Sequence, residues 1–477
     1  MQIQSIWVFL ALSLFQLTSC THGTGVLIPE KKKYVSENNL DELLAISSSP
    51  QRSKDEALAI ARQFSTTSTR SNSMAKSQLS NDFDIDVVLA EQSPKTYSTN
   101  SDKIVAVDTM LYVLNRKDNN GFFIISGDKR LPDLLCHSFE GHLDKGNIDD
   151  DSGFSVFLSR LPAYYQSALD KFYARLDSLE ALEQATEDDE PLTYRRRRRR
   201  PRPARYRYEY SDWQEVSRTT NLVPVNWGQG SPYNNEAPLI NNQHAAAGCV
   251  AIAAAQLISS FKYPYSYKGE ALNWNLLTKY PSYYDYRYTF DERIVYAKQV
   301  ASLLRKIGDK LGNSWGLEAT GSRTERIPGL LREMGYRHIP GITSYNADGI
   351  ISSIAQNRPA ILEGYSEHRK KGWFIFKRDV YSKGHDWIVD GFLRQERTVK
   401  KIYKKTNAVV ETKTESRILL HCNWGWSGFG NGYFNPGVFD SYSPVVSDPY
   451  PRSISLIENN KEGYFQYEVR NILHIHP

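Results

Sequence analysis

In KDEALAIARQFS, from Lys54, apolar side chains recur at Ala57, Ile60, Ala61 and Phe64, a spacing that predicts a helix. The period then shortens. IDVVLA, KIVAVDTMLYVLN and GFFIISGD alternate apolar and polar positions and predict strands of a small antiparallel sheet. SRLPAYYQSALDKFYARLDSLEALEQAT returns to helical spacing with one apolar face. Beyond about Ser211, helices are predicted from Cys249 to the stop at Pro264, in DERIVYAKQVASLLRKIGDKL and in RTERIPGLLREMGY. Strands are predicted at PAILEGY, HDWIVDGF, TVKKIYKK, AVVETKTESRILLHCNW and NGYFNPG. Helices followed by strands make this part α+β, and the helix and sheet ahead of it form a second α+β unit.

Two stretches break the pattern. MQIQSIWVFLALSLFQLTSC has an apolar core from Ile6 to Leu17, too short to remain as a membrane span and suited to a signal peptide over residues 1–20. Its end, LTSC, resembles a bacterial lipobox, which would make Cys20 a lipidated first residue anchored to the cell envelope; the alternative is a plain secretion signal cut nearby. Residues 21–52 are polar and are expected to be a tether. The second break is EDDEPLTYRRRRRRPRPARYR, with no apolar pattern, expected as a linker over 191–210 between an N-terminal unit (53–190) and a C-terminal unit (211–477). An exposed basic linker is easily nicked, with Arg195, Arg200 and Arg205 marking the cleavable region.

Charge adds little beyond this. The net charge is +5, but without the nine arginines of that linker it turns negative, so no nucleic-acid partner is expected. After Cys20 three cysteines remain, Cys136, Cys249 and Cys422. The number is odd and no zinc-finger spacing exists, so a free thiol is expected and no metal or cofactor.

Cys249 is placed for chemistry. It follows a glycine at a helix start, where unpaired backbone N–H groups and the helix dipole favour thiolate. A small buried core cysteine is the competing explanation. A nucleophile needs a base, an orienting group and oxyanion donors. Among ten histidines, His385 in KGHDWIVDGF stands out, behind a glycine and ahead of an apolar strand. In HCNWGWSGFGNGYF, Asn423 is a candidate to orient the imidazole, with Trp424 and Trp426 to exclude water. Gln229 in NWGQGSPYNNEAP is a candidate oxyanion donor, and Gln243 competes for that role.

The four stretches WGQGSPYN, GCVAIAAAQ, GHDWIVDG and NWGWSGFGNGYF, in this order, resemble the streptopain family of papain-like bacterial cysteine peptidases. GFFIISGDKRLPDLLCHSFEGHLD resembles that family's inhibitory propeptide. The resemblance implies a papain-like α+β peptidase domain behind an α+β pro-domain that acts as intramolecular inhibitor. It implies Cys249 as nucleophile, His385 as base, Gln229 as oxyanion donor, Asn423 as orienter and Trp424 packed beside it, with protein or peptide substrates and activation by cleavage near the arginine run. NSWGLEATGSR matches the family's glycine-rich loop only loosely, and the charged hairpin at roughly Arg394 to Arg417 is longer than usual for the family. The alternatives are a catalytically silent surface lipoprotein that binds peptide or glycan, and an acyltransferase using the same triad.

Overall fold

The structure is a computed structural model that describes residues 40–67, 82–89, 105–143, 153–188, 206–371, 378–440 and 469–477. Cys20, Arg195, Arg200 and Arg205 lie outside the described residues.

The N-terminal unit holds α1 (Leu40–Ser48), α2 (Lys54–Thr67), strands β1 (Phe83–Leu89), β2 (Thr109–Arg116), β3 (Phe122–Ser126) and β4 (Leu134–Ser138), and α3 (Gly153–Asp188). The four strands form an antiparallel meander. The tether expected over 21–52 is shorter than that, because Leu43 of α1 is buried against Phe172, Tyr173 and Leu176 of α3. The strand β4 escaped the sequence pattern because every one of its residues is buried, which leaves no polar alternation to detect. The helix α3 begins before the predicted stretch, at Gly153.

Strands β5 (Tyr206–Tyr210) and β6 (Gln214–Arg218) follow. Residues 206–210 were expected at the end of the linker and are instead a strand. Beyond them come α4 (Cys249–Phe261), α5 (Phe290–Leu311), α6 (Ile327–Glu333) and α7 (Ala347–Ala355). A capping box fixes the start of α5, in which the Thr289 hydroxyl accepts from the Glu292 backbone and the Glu292 carboxylate accepts from that of Thr289. Four strands complete the chain: β7 (Ala360–Lys371), β8 (Arg378–Tyr403), β9 (Ala408–Asn423) and β10 (Gly432–Phe434), with β11 (Arg470–Ile472) near the end. The segments HDWIVDGF and TVKKIYKK, expected as two strands, are one continuous β8. It pairs with β9 along one edge and with β5 and β6 along the other.

One sheet crosses both units. Its path runs β1-β2-β3-β4-β10-β9-β8-β7-β11, so β4 of the N-terminal unit adds directly to β10 of the C-terminal unit. Gly432 makes this junction possible, since a Cβ there would lie 2.1 Å from the His137 carbonyl oxygen. Alternation along β8 then assigns its two faces. Ile388 joins the core around α4, while Trp387 and Val389 join the core under α3.

Candidate active site

Cys249 is the first residue of α4, partly exposed, while Val250 to Ser259 behind it are buried. The turn before it needs glycine. Gly248 has φ of 95°, and a Cβ would lie 3.1 Å from Thr320 Cγ2. The Gly248 N–H donates to Gln229 Oε1 at 2.8 Å, and the Ala247 N–H donates to the Gln229 carbonyl at 3.0 Å. Gln229 is thereby fixed at the mouth of the helix. Its Nε2 donates to the Gly425 carbonyl at 3.3 Å and carries a second hydrogen. Gln243 is exposed in a two-residue hairpin strand.

The backbone N–H groups of Asp386, Val250 and Cys249 itself lie near enough to the Cys249 thiol to favour its ionised form. Burial of the sulfur pushes the thiol above its usual value, those donors oppose the shift, and the negative field of Glu363 adds to it. The strand that carries His385 thus passes within one residue of the sulfur.

The imidazole itself faces the other way. His385 is buried, and its Nε2 lies 2.8 Å from the Trp424 carbonyl oxygen. No hydrogen bond joins Cys249 to His385 among the described residues. Gly153 at the start of α3 closes over the ring: a Cβ on it would be 2.3 Å from His385 Cδ2 and 2.6 Å from Trp424 Cε3. Phe154 stacks edge-on to Trp424, and Phe157 to Phe434, at ring separations of 6.3 and 4.9 Å. Arg160 reaches further along the same surface and donates to the Val438 carbonyl at 2.9 Å. Each buried phenylalanine contributes about 1.5–3 kcal/mol to this docking.

Asn423 does not orient the imidazole in this arrangement. Its Nδ2 donates to the Val225 carbonyl at 2.9 Å, and its Oδ1 accepts from Gln256 Nε2 at 3.0 Å. It ties β9 to α4, and the neighbouring Trp424 carbonyl takes the histidine instead. Trp424 is fully buried, with its Nε1 donating to the Gly430 carbonyl at 3.0 Å. The Trp426 ring lies 5.5 Å from that of His385.

Two participants escaped sequence reasoning. Gly153 is unremarkable in GFSVF until its neighbour across the fold is known. Asp386, in the dipeptide HD, carries no local sequence signal beyond its place beside the histidine. Its carboxyl is buried, Oδ1 accepts from the Thr324 hydroxyl at 3.0 Å, and burial, the adjacent thiol and Glu363 push it well above the usual carboxylate range.

Comparison with known proteins covers both units. Residues 227–434 match the Peptidase C10 family, and residues 49–164 match the Spi protease inhibitor family. Streptopain of Streptococcus pyogenes is 23% identical over 367 residues, spanning 68% of this chain and 73% of that protein. The thiol protease/hemagglutinin PrtT of Porphyromonas gingivalis is 22% identical over 361 residues, which are 69% of this chain but 35% of PrtT, so the match spans about a third of that relative's length. A solved fragment of Prevotella intermedia prointerpain A aligns with 83% of this chain and 99% of its own at 18% identity, with a TM-score of 0.46. The chain thus joins a peptidase C10 domain to a Spi-type inhibitor domain ahead of it, the make-up of a streptopain-family cysteine peptidase precursor.

Proposed function

We propose that this chain is the zymogen of an exported cysteine endopeptidase, with Cys249 as nucleophile and His385 as its acid–base partner. The observation that carries this reading is the position of Cys249. It opens a buried helix beside the backbone of Asp386, one residue from a histidine that the N-terminal domain holds turned away. Removing Gly153 and Phe154 would uncover the imidazole and allow it to rotate toward the sulfur. As imidazolium it would stabilise the thiolate and then protonate the leaving amine. Charge on the carbonyl oxygen would develop between the Cys249 N–H and the free hydrogen of Gln229 Nε2. Water would then release the acyl-enzyme.

The N-terminal domain is accordingly the intramolecular inhibitor, and cleavage in the arginine-rich linker is the proposed activating event. The strands β5 and β6 lie directly after the linker and pair with β8 of the peptidase domain, so a cut before Tyr206 would leave them in place. Export follows from the apolar N-terminus, with lipidation at Cys20 as the proposed anchor. The test compares proteolysis of a generic protein substrate by linker-cleaved wild type, Cys249→Ala and His385→Ala. Loss of activity in both variants supports the proposal, and undiminished proteolysis in Cys249→Ala refutes it.

A further inference from the structure

The His385 strand presents an acidic group to the nucleophile that the proposed mechanism does not use. Asp386 is 3% exposed, on the Cys249-facing side of β8 with Ile388. Its Oδ1 is held by Thr324, but its Oδ2 is buried with no hydrogen-bond partner among the described residues. A buried polar atom left unpaired is destabilising. Directly across the strand pair stands a second buried acid, Glu363. Glu363 is satisfied: Oε2 accepts from Arg470 Nε at 2.9 Å and Oε1 from the Tyr365 hydroxyl at 2.6 Å. Arg470 is in turn shared with Glu325 at 2.8 Å. One guanidinium therefore serves two carboxylates, and among the described residues no ion pair joins Asp386 to a cation. Burial, the adjacent thiol and the facing Glu363 hold the Asp386 carboxyl above the usual carboxylate range, and an arriving counter-charge would favour its ionised form.

We infer that Asp386, backed by Glu363, is a specificity-determining carboxylate that receives an arginine or lysine side chain of the substrate residue flanking the bond attacked by Cys249. The inference rests on the reading of Cys249 as nucleophile. Asp386 lies near enough to the thiol to feel its charge, on the side of β8 that faces α4, so a substrate carbonyl seated at the sulfur would bring its flanking side chains near this residue. A guanidinium there would supply the missing donors for Oδ2 and the counter-charge for the pair. The arginine-rich linker of the chain itself has the same chemistry.

The experiment uses full-length chain cleaved in the linker by trypsin, which is then removed on immobilised inhibitor. Peptides carry Arg, its neutral isostere citrulline, or Leu at each position from the third before the cut to the second after it. Titration with a thiol-directed epoxide counts functional Cys249 in every sample. At one position the wild type is expected to favour Arg over citrulline by tenfold or more in kcat/KM. In Asp386→Asn, which keeps an acceptor for Thr324, that ratio should fall to near one with the epoxide titre retained. No preference for Arg at any position, or a preference unchanged in Asp386→Asn, overturns the inference while leaving the peptidase reading intact. A wild type that neither cleaves nor reacts with the epoxide overturns both.

Discussion

Gly153 and His385 meet across the boundary between the inhibitor domain and the peptidase domain, with room between them for a hydrogen and not for a methyl group. The contact turns the imidazole toward the Trp424 carbonyl and away from the sulfur it is proposed to serve. On the proposed reading, inhibition is the displacement of this one side chain, with Phe154 and Phe157 packed behind Gly153.

A methyl at Gly153 should therefore loosen the precursor. Overpacking costs about 1–3 kcal/mol, more than the helix-propensity gain of roughly 1 kcal/mol that alanine brings over glycine. Gly153→Ala is expected to raise peptide hydrolysis by the uncleaved chain several-fold and to lower its melting temperature. Unchanged basal hydrolysis with an unchanged melt would count against displacement by this contact.

The inhibitor domain also grips the long hairpin formed by β8 and β9. Asp133, just before β4, is bonded to Arg417 and to Trp213 Nε1 at 2.9 Å, and lies 3.8 Å from Arg397. Although burial opposes ionisation, Arg417, Arg397 and Arg52 hold its carboxyl far below the usual range. A depressed folded pKa gives stability that is complete above the unfolded value near 4 and lost as pH falls through the folded one. Melts of Cys249→Ala precursor from pH 6 to pH 2 should show this loss, and adding Asp133→Asn should lower stability at pH 6 by about 3–5 kcal/mol and flatten the slope below pH 4.

Gln229 and Gln243 can be separated by charge. Gln229 uses Oε1 to hold the Gly248 N–H, so Gln229→Glu keeps that acceptor and removes the donors. The proposal predicts a fall in kcat of roughly 10²–10³-fold, about 2.7–4 kcal/mol, in Gln229→Glu. Gln243→Ala, on an exposed hairpin, should stay close to wild type. Steady-state kinetics on one peptide substrate decides the matter.

Much of this was legible in the sequence because it is written in local patterns. The helix after Cys249 showed its glycine and its stop, and β9 showed its β-branched and apolar residues. The residues that set the state of the site are of another kind. Gly153 matters through a ring 232 positions away in the chain, and no periodicity reports such a contact. Asn423 offered the right chemistry for an orienter, yet β9 aims its amide at Gln256. The backbone carbonyl that took its place belongs to Trp424, and backbone groups leave no mark in residue identity. The charge of the β8–β9 hairpin showed in the sequence, but its bonds to Asp133 across the domain boundary did not.

The central claim is that cleavage frees His385 to pair with the Cys249 thiolate. The direct measurement is the rate of Cys249 alkylation by iodoacetamide against pH, before and after linker cleavage, in wild type and His385→Ala. In the precursor the thiol is held above its usual value, chiefly by burial, so reaction should begin only at alkaline pH. After cleavage the wild-type inflection should move to the acid side of neutrality, while that of His385→Ala stays alkaline. Identical profiles for the two cleaved proteins would contradict the account.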